Sequence, residues 1–461
     1  MIRKMKLKNL PDSYKDCNVC VMGLGYVGLT LAVTLADIGF NVIGVEINNK
    51  ILKKIESGKP HFFEPGLEGR LKTVLRSNNL KFFKNIPEKC KCSIFIITVG
   101  TPIDDNNKVK KSMIDNVSRE ISKNLKEGDL IMLRSTVEVG TTEYLKNKFF
   151  NKEKIEYEIA FCPERTIEGK AMIELRQLPQ IIGADNINTS SRVSQFFSFM
   201  TPTVVRVSSK ETAELIKLVD NCQRDVNFAL SNEIAEISDS YSVSAFEVIS
   251  SGKLGYPRTN LPLPGPVGGP CLEKDSYILK NGLKKKKYFP QIIMSSRNLN
   301  KNQPRKTISL LSKFSDIILK QKKIRITLAG IAFKGSPETN DLRGTMAKPI
   351  FEELNRNFKD SEFTFFDPLV KENDILEYFN LKKIYFTDNI ERSFFKSQLY
   401  IICNNHPLFS LIPINNLSAR MKNPGIIFDF WNNFTNQKIT FPNGIHYLGL
   451  GNIGNSIRKF L

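Results

Sequence analysis

The chain has 461 residues, of which 41% are hydrophobic and 25% charged, a composition typical of soluble globular proteins with two or three domains. No apolar run approaches the roughly 18 residues of a membrane span, and the lysine-rich start, Met1 to Lys8, lacks the apolar region of a signal peptide, which predicts a cytoplasmic location. The net charge of +20 comes from lysines spread along the chain, with one tight cluster at Lys284 to Lys287, and favours a solvated surface over a nucleic-acid partner.

The cysteines and histidines predict neither a disulfide framework nor a metal site. Eight cysteines are few for this length, and the cytosol would keep them reduced. Cys17 and Cys20 form a CxxC, and Cys90 and Cys92 form a CxC. Neither pair is accompanied by a second cluster at metal-ligand spacing, so we interpret both as structural. The three histidines are scattered and adjoin no triad partners, which argues against histidine-centred acid/base catalysis.

The first motif along the chain is a glycine-rich turn between a predicted strand and a predicted helix. The strand, Asp16 to Met22, ends in the sequence GLGYVG, and a helix is expected from Leu29 to Ile38. A second strand, Asn41 to Val45, then leads to the acidic residue Glu46, about 20 residues after the first glycine. This order is typical of a dinucleotide-binding fold.

Each residue of this motif is of a type that dinucleotide binding requires. Gly23 allows the tight turn, Gly25 lets a pyrophosphate approach the backbone, and Gly28 lets helix and strand pack closely. Glu46 is expected to accept hydrogen bonds from the ribose hydroxyls, and its charge would repel a 2′-phosphate. The sequence therefore predicts NAD rather than NADP as the cofactor.

Further strands alternate with helices through the first half of the chain. Strands are predicted at Ser93 to Val99, Asp129 to Arg134 and Glu158 to Phe161, with a helix at Ser112 to Leu125 between the first two. This alternation predicts a parallel, doubly wound α/β sheet.

Polar residues follow the ends of these strands. Thr101 and Thr136 come directly after two of them, where a ligand at the carboxyl edge of the sheet would be met, although ordinary turn chemistry explains them equally well. The segment CPERTIEGK carries Glu164 and Glu168 after the third strand. Surface charge is one interpretation of these carboxylates, and a general base beside the cofactor is the other.

One long helix is predicted from Ser209 to about Tyr241. Lys217, Asn221 and Arg224 fall on one face of it and interrupt the apolar stripe with hydrogen-bond donors. A Lys with an Asn one turn away can hold a developing oxyanion, and a solvated polar face is the alternative.

A loop rich in proline and glycine, Gly255 to Pro270, leads to Cys271. A helix that starts near Cys271 would favour a thiolate through its free N–H groups and would place Asp275 on the same face, with Lys274 adding a positive charge. This is the arrangement of a reactive cysteine. A buried structural cysteine after a loop is the alternative.

The last third of the chain is predicted to form a second α/β unit. A helix from about Gln291 to Lys320 precedes a strand at Lys323 to Ala329, and Lys334 and Arg343 fall in the following turn, where a phosphate could bind. More strands are expected at Phe363 to Phe366, Leu399 to Cys403 and Gly425 to Phe430.

Seven segments, in this order, resemble the UDP-glucose/GDP-mannose dehydrogenase family, and the resemblance covers nearly the whole chain. They are GLGYVGL at 23–29, VGTP at 99–102, STVEVGTT at 135–142, CPERTIEG at 162–169, the Lys217/Asn221 helix, GGPCLEKD at 268–275 and FKGSPETNDLR at 333–343.

The resemblance implies two Rossmann-like doubly wound α/β domains joined by a long central helix. The expected domains are an NAD-binding domain at 1–207, a central helical dimerisation domain with the catalytic cysteine loop at 208–318, and a UDP-sugar-binding domain at 319–461. It implies a homodimer or higher homo-oligomer that makes precursors of surface polysaccharides. It also implies a four-electron oxidation of a sugar CH₂OH to a carboxylate with two NAD⁺.

The resemblance assigns roles that chemistry makes intelligible. Lys217 and Asn221 would stabilise the alkoxide and later oxyanions, and Asp275 with a bound water would help remove the hydroxyl proton. Cys271 would trap the aldehyde as a thiohemiacetal that is oxidised to a thioester. Glu168 would activate the hydrolytic water, and the supporting residues would be Thr136 and Glu164.

Binding residues follow from the same resemblance. The expected NAD contacts are Gly23, Gly25, Tyr26, Val27, Gly28, Glu46, Thr101, Thr136, Lys274 and Arg343. The expected substrate contacts are Glu164, Arg165, Glu168, Lys217, Asn221, Arg258, Gly268 and Lys334, with Arg258 supplied by a neighbouring subunit. No metal is expected.

The sequence departs from the family pattern at Glu46. In the segment from Glu164 to Glu168 it combines features of two branches of the family. Glu46 stands where the family usually has Asp. Glu164-Arg165-Thr166 resembles the N-acetylhexosamine branch, whereas Glu168 resembles the UDP-glucose branch. The prediction is a UDP-N-acetylhexosamine 6-dehydrogenase, with UDP-glucose 6-dehydrogenase as the alternative. A β-hydroxyacid dehydrogenase would have no use for Cys271, and a catalytically silent nucleotide-sugar sensor would be expected to lose Cys271 or Lys217.

Overall fold

The computed structural model describes residues 10–11, 13–151, 155–319, 323–434 and 439–453. The chain divides into two compact units, the first made of Met1–Asp220 with Tyr277–Phe289 and the second of Asn221–Ser276 with Pro290–Leu461. The lysine-rich start and the expected helix end at Lys320 lie outside the described residues. Within them, none of the helices has the length and apolar character that crossing a membrane requires.

The first unit is built on an eight-stranded sheet in the order β3-β2-β1-β4-β5-β6-β7-β8. Its strands are β1 Asn18–Met22, β2 Asn41–Val45, β3 Leu80–Phe83, β4 Ile94–Ile97, β5 Leu130–Leu133, β6 Glu158–Phe161, β7 Gln180–Ala184 and β8 Val204–Val207. Its helices are α1 Tyr26–Ile38, α2 Asn49–Glu56, α3 Leu67–Arg76, α4 Ser112–Asn124, α5 Thr141–Leu145, α6 Ala171–Gln177 and α7 Ile187–Ser198, and a π-helical turn, Lys146–Phe150, follows α5.

Neighbouring strands of this sheet are parallel except for one pair. β7 runs antiparallel to β6, with Ala160 opposite Ala184 and Phe161 opposite Gly183, whereas β7 and β8 are parallel to each other. The five strands that the sequence predicted here are parallel to one another, as expected. The antiparallel pair is made by β7, which was not predicted, because after β6 the chain turns back through the loop of Glu164 and the short helix α6. The carboxyl ends of β1, β4, β5 and β6 still share one edge.

A continuous helix, α8 Lys210–Tyr241, runs from the first unit into the second. In the first unit, Lys210 is buried at its start and binds Glu143 at 2.9 Å and Asp185 at 2.6 Å. A buried cation at a helix N-terminus is unfavourable, and the two carboxylates offset it. The helices that follow are α9 Ala245–Lys253, α10 Gly269–Leu272, α11 Asp275–Leu283 and α12 Gln291–Leu319, and a 3₁₀ turn, Lys284–Lys286, follows α11.

The second unit contains a six-stranded parallel sheet in the order β11-β10-β9-β12-β13-β14. Its strands are β9 Arg325–Ala329, β10 Glu362–Phe366, β11 Tyr385–Thr387, β12 Leu399–Ile402, β13 Gly425–Asp429 and β14 Ile445–Gly449. The helices between and beside them are α13 Ala347–Asn357, α14 Glu372–Phe379, α15 Ile390–Phe394, α16 Pro407–Leu411 and α17 Ile414–Ser418.

Both sheets are covered by apolar side chains on both faces. In β1, Val19 and Val21 belong to one core cluster while Cys20 and Met22 belong to another, because successive side chains of a strand point to opposite faces. The second sheet likewise has a core on each face. Strands buried on both faces are uniformly apolar, which explains why β1, β4 and β5 are recognisable in the sequence. The predicted fold class, two α/β domains with a long central helix, is confirmed.

Candidate active site

The GxGxxG loop lies between β1 and α1, at the carboxyl edge of the first sheet. Gly23 has a left-handed φ of +92°, and its carbonyl oxygen accepts a hydrogen bond from Thr98 Oγ1 at 2.7 Å. A Cβ atom on Gly28 would lie 1.8 Å from that carbonyl oxygen. Gly25 is exposed, and a Cβ there would have no atom within 4 Å. The N–H groups at the start of α1 therefore border a surface that a pyrophosphate can approach, which fits NAD.

Glu46 follows β2 and turns its carboxylate toward this loop. Its Oε2 atom accepts a hydrogen bond from the Leu24 N–H at 3.0 Å, and its Oε1 atom accepts one from the Asn48 N–H at 2.9 Å. The two backbone donors fix the carboxylate beside the glycine loop and leave acceptor sites for ribose hydroxyls. The longer side chain, unusual for the predicted family, is held in place by the loop itself.

Thr101 and Thr136 lie in the turns that follow β4 and β5. Thr101 is buried, and its hydroxyl donates to the Thr136 carbonyl oxygen. Ser135 Oγ donates to the Val99 carbonyl oxygen at 2.6 Å, which ties the two turns together a second time. The hydroxyl proton of Thr101 is thus used within the protein, so toward a ligand this side chain acts as an acceptor.

The loop that carries Glu168 is fastened to the start of α1 by Glu64. This buried carboxylate accepts hydrogen bonds from the Gly169 N–H at 2.7 Å, the Met172 N–H at 3.4 Å and the Tyr26 hydroxyl. Burial, with a smaller effect of Glu64, raises the pKa of Tyr26, so its hydroxyl remains a donor. Tyr26, predicted to touch the cofactor, therefore has a protein partner, and Glu168 beside it is half-buried.

Glu164 lies in the same loop and is almost completely enclosed. Its Oε2 atom accepts from Arg134 Nη2 at 2.5 Å, and its Oε1 atom accepts from the N–H groups of Arg165 at 2.8 Å and Thr166 at 2.9 Å. Burial acts to raise the pKa of Glu164, but Arg134 and the Thr166 N–H outweigh it and hold the pKa below its ordinary value. An ionised carboxylate with three strong donors suits a supporting role and not that of a general base.

Lys217 and Arg165 border the same loop in the first unit. Lys217, on α8, is half-buried, and its ammonium charge contributes to the lowered pKa of Glu164. Arg165 Nη2 donates to the Pro179 carbonyl oxygen at 2.7 Å, and its Nη1 atom lies 3.6 Å from Asp220 Oδ2. The predicted substrate residues of this unit are thus gathered around one segment, the turn after β6.

In the second unit, Asn221 and Asp275 form a buried pair. Asn221 Nδ2 donates to Asp275 Oδ2 at 2.6 Å, and the two residues are 6% and 1% exposed. Cys271, four residues before Asp275, is half-buried. The pair therefore offers a buried carboxylate that can accept a proton from a hydroxyl group and a buried amide that can donate a hydrogen bond to an oxyanion. Both residue types are needed beside a cysteine that reacts with an aldehyde.

The helix expected to begin near Cys271 is divided in two. Gly269, with a φ of +91°, and Pro270 open the single turn α10, and the Lys274 N–H closes it by donating to the Cys271 carbonyl oxygen at 3.2 Å. Asp275 then begins the separate helix α11, where a carboxylate suits the first turn. A helix does start near Cys271, as expected, but the turn residues Glu273 and Lys274 separate it from the helix that begins at Asp275.

Two glycines allow the cysteine loop to contact the turn after β9. The Gly269 N–H donates to the Gly344 carbonyl oxygen at 2.7 Å. A Cβ on Gly268 would lie 2.1 Å from that oxygen, and a Cβ on Gly269 would lie 2.5 Å from the Phe333 ring. Only glycine fits at either position. The contact brings the GGPC and FKG segments together, as members of one site require.

The remaining predicted ligand contacts of the second unit are cationic. Lys274 and Lys334 are half-buried, and Arg258 and Arg343 are exposed. Arg343 Nε donates to Asp341 Oδ2 at 2.8 Å within the same turn. Part of the positive charge expected to bind a phosphate is therefore offset locally.

Four residues that support these segments were not predicted. Glu64 holds the Glu168 loop, Arg134 holds Glu164, and Arg297 and Asn232 hold the cysteine loop. Arg134 directly follows the apolar strand β5, so a charge at the end of a buried strand was the available signal. Glu64, Arg297 and Asn232 contact residues that are distant in sequence, so no local sequence pattern predicts their roles.

The nucleotide-binding turn, the acid after β2 and a second Rossmann-like unit define an NAD-dependent dehydrogenase of the two-domain type. The chain matches the NAD binding domain of the UDP-glucose/GDP-mannose dehydrogenase family at residues 17–201, its central domain at 211–302 and its UDP binding domain at 327–436. The chain belongs to this family. The predicted family, oxidoreductase class and NAD cofactor are confirmed.

Individual relatives are similar over nearly their whole length. The UDP-N-acetyl-D-mannosamine dehydrogenase of Methanococcus aeolicus is 33% identical over 427 residues, which are 91% of this chain and 92% of the relative. The solved structure of the Pyrococcus horikoshii UDP-D-ManNAc dehydrogenase is 29% identical, with a TM-score of 0.83 over 95% of this chain and 100% of that one. The UDP-N-acetyl-mannosamine dehydrogenase structure from Staphylococcus aureus is 28% identical, with a TM-score of 0.80 over 95% of this chain and 100% of that one.

Proposed function

We propose that this protein is a UDP-N-acetylhexosamine 6-dehydrogenase that oxidises the C6 hydroxyl to a carboxylate, with UDP-N-acetyl-D-mannosamine as the first candidate substrate. The observation that carries the proposal is the buried Asn221–Asp275 pair, whose carboxylate lies four residues after the half-buried Cys271 in the sequence. The names of the most similar relatives support the choice of sugar. UDP-glucose is the second candidate, because Glu168 resembles the UDP-glucose branch.

The first oxidation uses Lys217, Asn221 and Asp275. The glycine loop and Glu46 would hold NAD⁺, which would supply the hydride acceptor for each oxidation. Lys217 and Asn221 stabilise the alkoxide at the sugar O6 atom as its proton passes through water to Asp275. The product at this stage is the aldehyde.

The second oxidation requires Cys271. Its thiolate adds to the aldehyde carbon to form the oxyanion of a thiohemiacetal, and loss of the second hydride from this oxyanion leaves a thioester. Glu168 removes a proton from water, which attacks the thioester carbon and releases the carboxylate and the thiol. Thr136 places this water, while Glu164 keeps the loop in position.

The proposal includes the domain organisation and the assembly. The NAD-binding domain spans 1–207, the central domain 208–318 and the UDP-sugar-binding domain 319–461, which the three family matches support. The enzyme is a homodimer in which Arg258 of one subunit reaches the substrate of the other, since Arg258 is exposed. It works in the cytoplasm, where its eight cysteines stay reduced, and supplies a polysaccharide precursor.

The test is the number of NADH molecules formed per sugar nucleotide consumed. The panel contains UDP-N-acetylmannosamine, UDP-N-acetylglucosamine, UDP-N-acetylgalactosamine and UDP-glucose. We expect two NADH per molecule of UDP-N-acetylmannosamine, and little turnover of the others.

A matched pair of variants tests the role of the thiol. Cys271→Ala should retain at most a slow first oxidation, whereas Cys17→Ala, which removes the other half-buried thiol, should retain full activity. One NADH per sugar from the wild-type enzyme would contradict the thioester step. No turnover of any panel member would contradict the proposed activity.

A further inference from the structure

We propose that Arg297, on α12, is a positioning residue that holds the loop of Cys271 in place for the second oxidation. The inference rests on the proposed function of Cys271 as the nucleophile. Arg297 is only 2% exposed, so its charge is removed from water and must be satisfied inside the protein.

The guanidinium of Arg297 spans the residues on both sides of the thiol. Its Nη1 atom donates to the Leu272 carbonyl oxygen at 2.9 Å, and its Nη2 atom donates to the Val267 carbonyl oxygen at 3.4 Å. These carbonyl groups bracket Cys271 in the sequence. Because the guanidinium is planar and rigid, two donors fix the separation of the two loop segments as well as their direction.

The charge of Arg297 is balanced from the central helix. Its Nη1 atom also binds Asp225 Oδ1 at 3.0 Å, and Asn300 Nδ2 donates to the same oxygen at 2.8 Å. Asp225 is 1% exposed. A buried ion pair of this kind adds little net stability, but removing one partner is strongly destabilising. The pair is therefore suited to fixing the position of the Arg297 guanidinium.

The start of the loop has a second anchor that belongs to the same network. Asn232 Oδ1 accepts from the Gly265 N–H at 2.9 Å, and Asn232 Nδ2 donates to the Gly265 carbonyl oxygen at 3.1 Å and to Asn300 Oδ1 at 2.9 Å. Asn300 thereby links the two anchors. Helices α8 and α12 hold the loop from Gly265 to Leu272 through one continuous set of buried polar side chains.

The two oxidations depend on this loop to different degrees. The first uses Lys217, Asn221 and Asp275, whereas the second and the hydrolysis need the Cys271 sulfur within bonding distance of the aldehyde carbon. A displacement of about 1 Å at a reacting atom can cost on the order of a hundredfold in rate. Weakening the Arg297 contacts should therefore slow the second oxidation more than the first.

The experiment compares Arg297→Lys with Lys306→Met in the full-length chain carrying Cys17→Ala. Lys306 also links α12 to α8, through an exposed ion pair with Glu236 at 2.9 Å, but it does not contact the loop. The other six cysteines are buried, so Cys271 is the accessible thiol in this background. The measurements are the rate of Cys271 alkylation by iodoacetamide, NADH per sugar, and aldehyde trapped by hydroxylamine.

For Arg297→Lys we expect alkylation of Cys271 to become severalfold faster, because the loop is less constrained. We also expect the second oxidation to become about tenfold slower or more, so that NADH per sugar falls from two toward one and trapped aldehyde appears. Lys306→Met should match the background protein in all three measurements.

A second variant covers the case in which Arg297→Lys does not fold. Asp225→Asn combined with Arg297→Met removes both charges, leaves no buried charge unpaired, and should show the same selective loss. Equal slowing of both oxidations together with a lower melting temperature would overturn the proposal in favour of a general structural role. If the wild type oxidises no panel sugar, the proposed function fails, and unchanged alkylation in Arg297→Lys would then separately overturn the positioning role.

Discussion

At the scale of single residues, the loop after β6 contains two carboxylates with different chemistry. Glu164 has its acceptors occupied by Arg134 and two backbone N–H groups, and it is buried. Glu168, four residues later, is half-buried. Because a general base must exchange protons with water or substrate, the second carboxylate is the one suited to hydrolysis. The first determines where the loop lies.

Arg134→Met should lower the free energy of unfolding by about 3–5 kcal/mol at pH 7, because it leaves the Glu164 carboxylate buried without its cation. The lowered pKa of Glu164 means that its contribution to stability is complete above the unfolded pKa of about 4.3 and is lost as the pH falls through the lower folded value. The stability difference between the wild type and the variant, measured by urea denaturation, should therefore narrow below about pH 4.

Arg70→Met is the control for this prediction. Arg70 binds Asp37 at 2.6 Å in a partly exposed ion pair, and Asp37 also binds Arg176 at 2.8 Å, so it would keep a cation partner. Loss of Arg70 should therefore cost about 1 kcal/mol or less and show little dependence on pH in the same range. Equal effects of the two substitutions would contradict the distinction between them.

Glu64→Gln should slow hydrolysis of the thioester. The carboxylate accepts from two backbone N–H groups and from Tyr26, whereas an amide offers one oxygen and would direct its NH₂ group at a donor. The Glu168 loop would be released, and we expect kcat to fall about tenfold while a covalent sugar adduct on Cys271 accumulates. Intact-protein mass spectrometry during turnover detects that adduct.

Glu68→Gln changes an exposed glutamate four residues further along the chain and should leave kcat unchanged. A lower kcat for Glu64→Gln without the adduct would place the defect at an earlier step and refute this role for Glu64.

At the scale of elements, the first turn of α8 lies directly against β7. A Cβ on Gly183 would lie 2.3 Å from the Ser209 carbonyl oxygen and 2.8 Å from Ala213 Cβ. These are backbone and short side-chain atoms that cannot rotate away. The position of the central helix on the first unit therefore depends on glycine at this point of the strand.

We expect Gly183→Ala to destabilise the protein by about 1–3 kcal/mol through overpacking and to lower activity, since α8 carries Lys217. Gly69→Ala, within α3, meets no atom within 4 Å and should be neutral or stabilising by up to about 1 kcal/mol. The melting temperatures of both variants, measured by thermal denaturation, test this difference in stability. A melting temperature for Gly183→Ala equal to that of the wild type would show that the helix can shift without cost.

The same elements show what the sequence could predict. Strands β1, β4 and β5 were recognisable because both faces are buried and the residues are uniformly apolar. β8, with the sequence VVRV and a mostly exposed edge, and the short β11 were missed because edge strands lack that pattern. β7, Gln180–Ala184, was not predicted either, and periodicity would not have encoded its direction.

The candidate site was predictable where one segment carries the chemistry, as in the GxGxxG turn and the cysteine loop. It was not predictable where a residue acts through a distant partner. Glu64 and Gly169 are 105 positions apart, and Arg134 and Glu164 are 30 apart. Only folding brings such pairs together, so their roles emerge from the structure.

At the scale of the whole molecule, the second unit exposes several large apolar side chains on and after α8. Ile237 is 51% exposed, Tyr241 73% and Leu254 84%, and Val248 on α9 is also exposed. Arg258 follows in the same exposed stretch, 5.2 Å from the Tyr256 ring. Apolar residues of this size in one segment, followed by a cation expected to bind substrate, favour an interface with a second copy of the chain.

If the chain forms the proposed dimer through this surface, Ile237→Glu should raise the dissociation constant by about 100-fold or more, because a carboxylate would be buried at the interface without a partner. Leu411→Glu, at a leucine on α16 that is 80% exposed, should leave assembly unchanged. Sedimentation equilibrium measures both constants. If Arg258 completes the site of the neighbouring subunit, activity must follow assembly, so the specific activity of Ile237→Glu should rise with protein concentration while that of Leu411→Glu stays constant. A monomeric Ile237→Glu variant with full activity would show that each subunit binds its sugar alone.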